Sequence, residues 1–331
     1  MSDTPPRILL TGASGFVGRR LASALAMRYP NALRVALVHQ SKDVVPDLWV
    51  AKTADLTDAG VIASLVAEVA PTHLVHLAAQ SSVGNAPGAA DLTWRANFFG
   101  TYHLAGAMAR LETASIFFFA SSAEVYGTSF QNNKVTELTA PMPSNTYASS
   151  KLAAERMLCD LLPQNCRLIT VRPVNHSGAG QDERFVLPSF AAQIARIEAT
   201  GSRGRLMVGN LDAIRDFLHV DDVIDVYMRL IDLAPALPPR LLVNVASGTL
   251  WKIGTLLQML VDMARQPLEI VPDPARMRAS DIPSAEVDAG LLGRLTGWAP
   301  QRTMLEMLQQ VLDEARKHHA LPSAALMGYQ T

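Results

Sequence analysis

The segment Arg7-Ile-Leu-Leu-Thr11, followed at once by Gly12-Ala-Ser-Gly15-Phe-Val-Gly18, decides the fold of this 331-residue chain. Residues 7–11 form a short apolar run, which is typical of a buried strand. Apolar residues then recur at helical spacing over residues 19–29, so the glycines lie between a strand and a helix. One glycine permits a tight turn, and the others let backbone approach a pyrophosphate and let the helix pack on the sheet. This setting favours dinucleotide binding over a plain strand-to-helix turn.

Strands and helices alternate along most of the chain. We predict strands over residues 33–39, 72–78, 116–120, 167–171 and 241–245, and helices over residues 61–70, 94–111, 147–162, 188–198, 221–233, 253–264 and 303–318. The alternation indicates an α/β fold, a Rossmann-like doubly wound parallel sheet with helices on both faces. We expect a dinucleotide-binding domain over residues 1–175, to which residues 217–246 return. A smaller C-terminal α/β domain over residues 176–331 would bind the substrate.

Composition limits the class of protein. The chain is 49% hydrophobic and 18% charged, with a formal net charge of -1. This apolar content excludes a disordered chain, and the near-neutral charge argues against a nucleic-acid partner. Cys159 and Cys166 are the only cysteines, so neither a disulfide framework nor a cysteine-rich metal site is expected. No run reaches the roughly 18 apolar residues of a membrane span, and residues 1–7 do not resemble a signal peptide. We therefore expect a soluble cytoplasmic protein without a metal or a membrane partner.

The end of the second predicted strand bears on the choice of dinucleotide. It reads His39-Gln40-Ser41-Lys42, without the acidic residue that would bind the ribose 2′-hydroxyl of NAD and repel a 2′-phosphate. These neutral and basic groups favour NADP(H), while NAD(H) remains possible, and a solvated loop is the alternative interpretation. Asp55 and Leu56 lie where an adenine contact is expected, although an aspartate in a loop is often only a turn residue.

A tyrosine, a lysine and a serine indicate the chemistry. Tyr147 and Lys151 are four residues apart on one predicted helix, so their side chains are neighbours. A cationic lysine beside a phenol is expected to lower the pKa of the phenol, which could then exchange a proton with an alcohol oxygen. Ser121 and Ser122 end a buried strand, where a parallel sheet places its ligands, and a serine there can donate to a carbonyl oxygen.

With further motifs, these residues resemble the short-chain dehydrogenase/reductase superfamily, specifically the extended branch of nucleotide-sugar epimerases and dehydratases. The resemblance extends from about residue 7 to residue 300, and its other motifs are His76-Leu-Ala-Ala-Gln80, Asn97-Phe-Phe-Gly100-Thr101, Ser121-Ser-Ala-Glu-Val-Tyr-Gly127, Arg172-Pro173-Val-Asn175, Arg215-Asp-Phe-Leu-His-Val-Asp-Asp222 and Gly297-Trp298-Ala-Pro300. The resemblance implies an NAD(P)H-dependent oxidoreductase. It also implies a homodimer, in which the helices over residues 94–111 and 147–162 of two subunits form a four-helix bundle.

The resemblance assigns roles to individual residues. Tyr147 would be the proton donor or acceptor, Ser122 would hold the sugar carbonyl, and Lys151 would bind the nicotinamide ribose and tune Tyr147. Asn97 would support the lysine, and Pro173 would pack near the nicotinamide. The expected cofactor-binding residues are Gly12, Ser14, Gly15, Phe16, Val17, Gly18, His39, Asp55, Leu56, Leu77, Ala78, Ala79, Asn97, Tyr147, Lys151 and Pro173.

The second half of the chain resembles a narrower group, the enzymes of GDP-mannose metabolism. The motifs are Asn175-His176, Gly178-Ala-Gly-Gln181, Phe185-Val186-Leu-Pro-Ser189, Gly209-Asn-Leu-Asp-Ala-Ile-Arg215-Asp216 and Asp273-Pro-Ala-Arg276-Met-Arg278. The guanidinium groups of arginines bind diphosphates. The candidates for this role are Arg215 and one of the two arginines Arg276 and Arg278. The expected substrate-binding residues are Ser81, Ser122, Glu124, Asn175, Val186, Ser189, Arg215 and Arg278. Solvated arginines in polar loops are the alternative.

The triplet Ser122-Ala123-Glu124 bears on the reaction type. In the related 4,6-dehydratases a polar residue and a glutamate follow the serine or threonine, and the glutamate helps to eliminate water. Ala123 favours a simple 4-keto reductase, which would convert GDP-4-keto-6-deoxy-D-mannose to GDP-D-rhamnose with a hydride from NAD(P)H and a proton from Tyr147. Its C4 epimer, GDP-6-deoxy-D-talose, is the alternative product. A 4,6-dehydratase with Glu124 as a catalytic residue, a C4 epimerase and a non-catalytic NADP(H) sensor are the alternative functions.

Overall fold

The computed structural model describes residues 5–80, 89–132, 134–277 and 282–319. The chain divides into two units, each assembled from separate segments. The first unit comprises Met1–Val174, Asp221–Gly248 and Glu286–Ala299, and the second comprises Asn175–Val220, Thr249–Ala285 and Pro300–Thr331. The sequence pattern contains no feature that would place residues 286–299 in the first unit.

The strands and helices follow one another in the alternation expected from the sequence. The strands are β1 Arg7–Thr11, β2 Leu33–Val38, β3 Val50–Thr53, β4 His73–His76, β5 Ser115–Ala120, β6 Cys166–Pro173, β7 Asn175–Ser177, β8 Gly204–Val208, β9 Ile214–His219, β10 Arg240–Val245, β11 Leu250–Lys252, β12 Leu268–Pro272 and β13 Ser284–Ala285. The helices are α1 Phe16–Arg28, α2 Ala59–Val69, α3 Ala89–Trp94, α4 Gly100–Met108, α5 Thr146–Leu161, α6 Val186–Thr200, α7 Val220–Leu233, α8 Ile253–Asp262, α9 Gly290–Thr296 and α10 Met304–His319.

The first unit is built on a seven-stranded parallel sheet in the order β10-β6-β5-β4-β1-β2-β3. Its central strands are apolar at their middle positions because helices cover both faces, and Ile8, Leu9 and Leu10 are fully buried. The strand order reverses beside β1, since β2 lies on one side of it and β4 on the other. The Rossmann-like sheet predicted from the sequence is therefore confirmed. Ligands bind such sheets outside the carboxyl ends of the strands, at the reversal.

Apolar helix faces cover this sheet on its two sides. On one side, α2, α4 and α5 bury Leu65, Leu104 and Leu158 against Leu9 and Phe117. On the other side, α7 contributes Tyr227, whose ring centroid lies 4.9 Å from that of Phe118. The edge strand β3 was not predicted, because its residues are mostly exposed and lack an alternating pattern.

The helix predicted over residues 94–111 is different in the structure. It comprises α3, a π-helical turn over Arg95–Phe99, and α4. The π turn contains Asn97, and such single turns are frequent at functional sites. The spacing of the apolar residues predicts a helix, but it does not distinguish α-helical from π-helical hydrogen bonds. The π turn could therefore not be predicted from the sequence. Among the described residues, no helix has the length and apolarity to cross a membrane.

The second unit has its own small sheets and core. The antiparallel pair β11 and β9 continues into β13, with β7 beside β9, while β12 and β8 form a separate parallel pair. Helices α6, α8 and α10 share an apolar core that includes Phe190, Leu256 and Leu308. The three helices were predicted from their apolar faces. The strands of this unit were not predicted, because they lack a continuous apolar run; β9, for example, reads Ile214-Arg-Asp-Phe-Leu-His219.

Candidate active site

The glycine-rich turn packs closely against neighbouring backbone. Gly12 has a φ of 74°, and a Cβ there would lie 2.7 Å from the Ala78 nitrogen. A Cβ on Gly18 would lie 1.9 Å from the Gly12 oxygen, so only glycine fits either position. Gly15 stands at the start of α1, and among the described residues no side chain caps this helix. An uncapped helix start beside a close-packed glycine turn suits a diphosphate, so the residues present fit a dinucleotide.

The other candidate cofactor residues of the first unit surround this turn. Leu77 and Ala78 follow β4 and pack against Gly12, and Ala79 comes next on the surface. His39 lies beyond the end of β2 and faces Asp55. Asp55 accepts hydrogen bonds from the Thr57 amide at 2.8 Å and from its hydroxyl at 2.9 Å, and these bonds lower the pKa of the Asp55 carboxyl.

Ser122, Tyr147 and Glu124 lie together at the end of β5. The Ser122 hydroxyl accepts from the Glu124 amide at 3.1 Å, and it lies close enough to the phenol of Tyr147 to lower the pKa of that phenol. Tyr147 stands in the first turn of α5, which Asn145 caps by accepting from the Ala148 amide at 2.8 Å. The Asn145 amide group also donates to Glu124 Oε2 at 3.2 Å. Asn145 was missed in the sequence, although an asparagine just before a predicted helix is a known capping signal.

The pKa of Tyr147 is shifted in the direction opposite to that expected from the sequence. Burial of the phenol raises its pKa, the Glu124 carboxylate raises it further, and the Ser122 hydroxyl opposes both. A phenol in this environment remains protonated at neutral pH. Tyr147 therefore carries the proton that a reduction consumes, and transfer of this proton requires stabilisation of the phenolate that is left behind.

Lys151 is buried beneath the same group of residues. Its side chain is 2% exposed, and Nζ donates to the carbonyl oxygen of Ala120, the last residue of β5, at 2.7 Å. Nζ also lies 4.8 Å from the centroid of the Phe119 ring. Burial lowers the pKa of Lys151 to about 7, and the charge of Glu155 opposes the shift. The lysine therefore loses its charge near neutral pH.

Asn97 connects the π turn to α5. Its Nδ2 donates to the Gln80 oxygen at 3.2 Å and to the Ser150 hydroxyl at 3.1 Å, while its Oδ1 accepts from the Gln80 amide at 2.7 Å. These bonds position the residue that precedes Lys151. The resemblance implied support of the lysine by Asn97, and the contacts observed are to Gln80 and Ser150. Pro173 ends β6 in a buried position.

A buried hydrogen-bonded chain, also missed in the sequence, joins the glycine turn to the π turn. The Thr101 hydroxyl donates to the Asn97 carbonyl at 2.6 Å, so its oxygen accepts from His76 Nε2 at 2.9 Å. His76 Nδ1 then accepts from the Thr11 hydroxyl at 2.6 Å, and Thr11 accepts from the Ala78 amide at 3.2 Å. With a neutral histidine, each group in this series of hydrogen bonds has a partner. Burial lowers the pKa of His76 to about 3.

The second unit brings part of the candidate substrate residues together. Ser189, in the first turns of α6, accepts from Arg276 Nη1 at 3.1 Å, and Arg276 also pairs with Asp273 at 3.3 Å. A Cβ on Gly209 would lie 2.5 Å from the Arg276 oxygen, so this glycine allows the close approach. The other candidates are Val186 at the start of α6, Asn175 on β7 and Arg215 on β9, whose Nη1 donates to the Ile214 oxygen at 2.8 Å. Ser81 and Arg278 lie outside the described residues. Among those described, no group of three or more histidine, cysteine or acidic residues could hold a metal ion.

Comparison with known proteins reveals extensive similarity. The profile of the NAD dependent epimerase/dehydratase family matches residues 8–246. GDP-6-deoxy-D-mannose reductase of Pseudomonas aeruginosa is 35% identical over 314 residues, which cover 93% of this chain and 96% of that protein. GDP-6-deoxy-D-talose 4-dehydrogenase of Aggregatibacter actinomycetemcomitans is 29% identical over 88% of this chain and 91% of its own length. The structure of RMD from Pseudomonas aeruginosa complexed with NADPH superposes with a TM-score of 0.79 at 33% identity, covering 95% of this chain and 99% of that one.

Proposed function

The chain belongs to the NAD dependent epimerase/dehydratase family, and from this premise we propose that it reduces the 4-keto group of a GDP-linked 6-deoxyhexose. The specific reaction proposed is GDP-4-keto-6-deoxy-D-mannose to GDP-D-rhamnose. The family predicted from the sequence is confirmed, and so is the prediction of an oxidoreductase that uses NADP(H) or NAD(H). The names of two relatives, a GDP-6-deoxy-D-mannose reductase and a GDP-6-deoxy-D-talose 4-dehydrogenase, support a GDP-linked 6-deoxy sugar.

The observation that carries the proposal is the cluster at the end of β5, where hydrogen bonds join Ser122 to Glu124, and Glu124 to Asn145 at the start of the helix that bears Tyr147. Two hydroxyl groups side by side can both donate to one carbonyl oxygen, which orients the carbonyl and stabilises the negative charge that develops on it. Tyr147 then gives its proton to this oxygen, so that the ketone becomes an alcohol. The raised pKa of the phenol keeps this proton in place until the reaction.

The nicotinamide cofactor, when bound, supplies the hydride that adds to C4 and leaves in its oxidised form. In the proposed site the turn over Gly12, Gly15 and Gly18 and the start of α1 hold the diphosphate. Lys151, still partly charged near neutral pH, would stabilise the phenolate that Tyr147 leaves after proton transfer. We propose NADP(H) as the preferred form, because His39 and not an acidic residue follows β2.

A 4,6-dehydratase is the second candidate function, and the position of Glu124 favours it. The Glu124 carboxylate is oriented by Asn145 and is close enough to Tyr147 to raise the pKa of the phenol. A base held there could take part in elimination of water from the sugar. Ala123, between Ser122 and Glu124, argues against a dehydratase, since the related dehydratases have a polar residue at this position.

Incubation with GDP-4-keto-6-deoxy-D-mannose, generated in place, separates the two candidates. We expect loss of the reduced-cofactor absorbance with NADPH, more slowly with NADH, in equal amount to a 6-deoxyhexose identified by NMR. The configuration at C4 then distinguishes rhamnose from talose. Conversion of GDP-mannose to the 4-keto sugar without added reductant, and no oxidation of NADPH, would show a dehydratase instead.

A homodimer is part of the proposal, and exposed apolar side chains support it. Leu92 on α3, Phe99 in the π turn and Tyr102 on α4 are 63%, 49% and 46% exposed. Large apolar side chains clustered on one helical segment are typical of a protein interface. Since α3 and the π turn pack beside α5, these elements are the expected components of a four-helix bundle between two subunits.

A further inference from the structure

A buried carboxylate joins three elements of the candidate active site. Glu155, which is 6% exposed, lies on α5 one helical turn beyond Lys151. Its carboxylate accepts from the Ser121 hydroxyl, from Arg172 Nε at 2.9 Å and from Arg172 Nη2 at 2.5 Å. Ser121 immediately precedes Ser122 at the end of β5, and Arg172 immediately precedes Pro173 at the end of β6. One carboxylate thus binds the residues that precede two proposed site residues, Ser122 and Pro173.

The arginine of this cluster is held on its other side as well. Arg172 is 2% exposed, and its guanidinium carbon lies 4.7 Å from the centroid of the Tyr126 ring. The Tyr126 hydroxyl donates to Asn244 Oδ1 at 2.8 Å, and the Asn244 amide donates to Glu137 Oε1 at 2.9 Å. A buried ion pair seldom stabilises a fold more than apolar residues of equal size would, because both charges lose their hydration. The two hydrogen bonds between an arginine fork and a carboxylate, in contrast, fix the relative orientation of the two side chains. A positioning role therefore explains this buried pair better than a stabilising role.

Glu155 also acts on the charge of Lys151. Tyr147 and Glu155 stand one helical turn before and after Lys151 on α5. The other groups that face Lys151 are Phe119 and the Ala120 carbonyl on β5, and His76 on β4. His76 is neutral because burial lowers its pKa to about 3, and Tyr147 is neutral because burial raises its pKa. Arg172 is a cation, and its fork is directed at Glu155. Among the described groups, Glu155 is the one whose charge raises the pKa of Lys151 against burial.

We propose that Glu155 is a positioning residue, which sets the ends of β5 and β6 against α5 through Ser121 and Arg172 and favours the charged form of Lys151 from one helical turn away. The catalytic part of this inference rests on the proposed function. The effect of Glu155 on the ionisation of Lys151 does not rest on it, because this effect can be measured without substrate or cofactor.

Glu155→Gln tests the inference, because it keeps the shape of the side chain and removes its charge. The matched control is Glu198→Gln in the second unit, where Arg316 makes a similar but only partly buried fork at 2.7 Å and 2.8 Å. Ionisation of Lys151 is followed in the full chain by NMR with carbon-13 at lysine Cε, and the signal is assigned by its loss in Lys151→Met. In Glu155→Gln we expect the titration midpoint of Lys151 to move down by roughly one pH unit, and in Glu198→Gln to stay in place.

The pH profile of kcat/KM for keto-sugar reduction is the catalytic measurement. The alkaline limb, on which Lys151 loses its proton, is expected to move to lower pH in Glu155→Gln and to remain at the wild-type pH in Glu198→Gln. If both variants lose the same stability and Lys151 titrates as in the wild type in both, Glu155 is merely structural and the inference is wrong. If the wild type does not reduce the sugar, the proposed reaction fails, whereas the NMR titration still decides the inference.

A second variant covers the case in which Glu155→Gln does not fold. Glu155→Leu combined with Arg172→Met removes both charges at nearly constant volume, so it avoids an uncompensated buried arginine. We expect this double variant to fold and to show the same downward shift of the Lys151 titration. A wild-type titration in the folded double variant would overturn the inference.

Discussion

At the scale of single residues, Tyr147 and Lys151 show how burial acts differently on an acid and on a base. Loss of hydration disfavours the charged form of each group. It therefore raises the pKa of the Tyr147 phenol and lowers the pKa of the Lys151 ammonium group to about 7. The expectation from helix spacing considered only the attraction between a phenolate and an ammonium ion. Burial and the charge of Glu124 outweigh it in the structure.

Removal of the Tyr147 hydroxyl is expected to abolish reduction without removing the cofactor site. In Tyr147→Phe we expect kcat to fall roughly 100-fold or more, because general acid catalysis typically contributes that much. Affinity for NADPH, measured by fluorescence titration, should change only a few-fold, since the glycine turn is intact. Unchanged activity of the pathway in cells with intact NADPH binding would favour the sensor function instead.

The lowered pKa of Lys151 predicts that the free energy of unfolding depends on pH. Its pKa is lowered from 10.5 to about 7 in the folded protein. Between these values the unfolded chain binds more protons, so the contribution of Lys151 to the free energy of unfolding rises with pH, by at most about 1.4 kcal/mol per unit. Urea unfolding of the wild type and Lys151→Met from pH 7 to 9 measures it. The wild type should gain stability relative to the variant as pH rises, and parallel curves would contradict the expectation.

At the scale of elements, the two turns that border the site are tied together through the sheet. Thr11 at the end of β1 and His76 at the end of β4 are paired in register. The chain of bonds from Ala78 through Thr11, His76 and Thr101 therefore runs from the glycine turn to the π turn at Asn97. A π turn contains one residue more than an α turn, and bonds to its carbonyl groups help to keep this irregular segment in place.

His76→Leu tests this connection. The substitution leaves the Thr11 and Thr101 hydroxyl groups without their buried partner, so we expect the free energy of unfolding at pH 7 to fall by about 2–4 kcal/mol. In the wild type the pKa of His76 is lowered from 6.5 to about 3. The unfolded chain therefore binds a proton at His76 before the folded protein does, and the wild type loses stability as the pH falls from 6.5 towards 3. The variant has no histidine at this position, so its free energy of unfolding should fall less over this pH range. Urea unfolding at pH 7 and pH 4 measures both effects, and equal stability of the two proteins at pH 7 would rule out the connection.

At the scale of the whole molecule, each unit is completed by segments distant in the chain. The first unit takes residues 221–248 as β10 and α7 and residues 286–299 as α9, while the second takes α8 and α10. The catalytic candidates Ser122, Tyr147 and Lys151 belong to the first unit, whereas Ser189 and Arg215 belong to the second. The candidate site residues are therefore distributed over both units.

The proposed dimer gives the prediction at this scale. Phe99→Glu adds a charge to the exposed apolar cluster on α3, the π turn and α4, and burial of that charge at an interface would be costly. We expect analytical ultracentrifugation to show a dimer for the wild type and a monomer for this variant. Met27→Glu is the matched control, since Met27 is 78% exposed on α1, away from the cluster, and it should remain a dimer. A monomeric wild type would contradict the proposal.

Local patterns were sufficient for the parallel sheet, the cofactor turn and the family. Apolar runs, helical periodicity and glycine spacing act over a few residues, so they can be read along the chain, as in residues 7–18. The short strands of the second unit, the π turn and the Glu155–Arg172 pair depend on segments that meet only after folding. The pKa shifts of Tyr147 and Lys151 belong with them, because hydration is lost only when other parts of the chain cover a side chain.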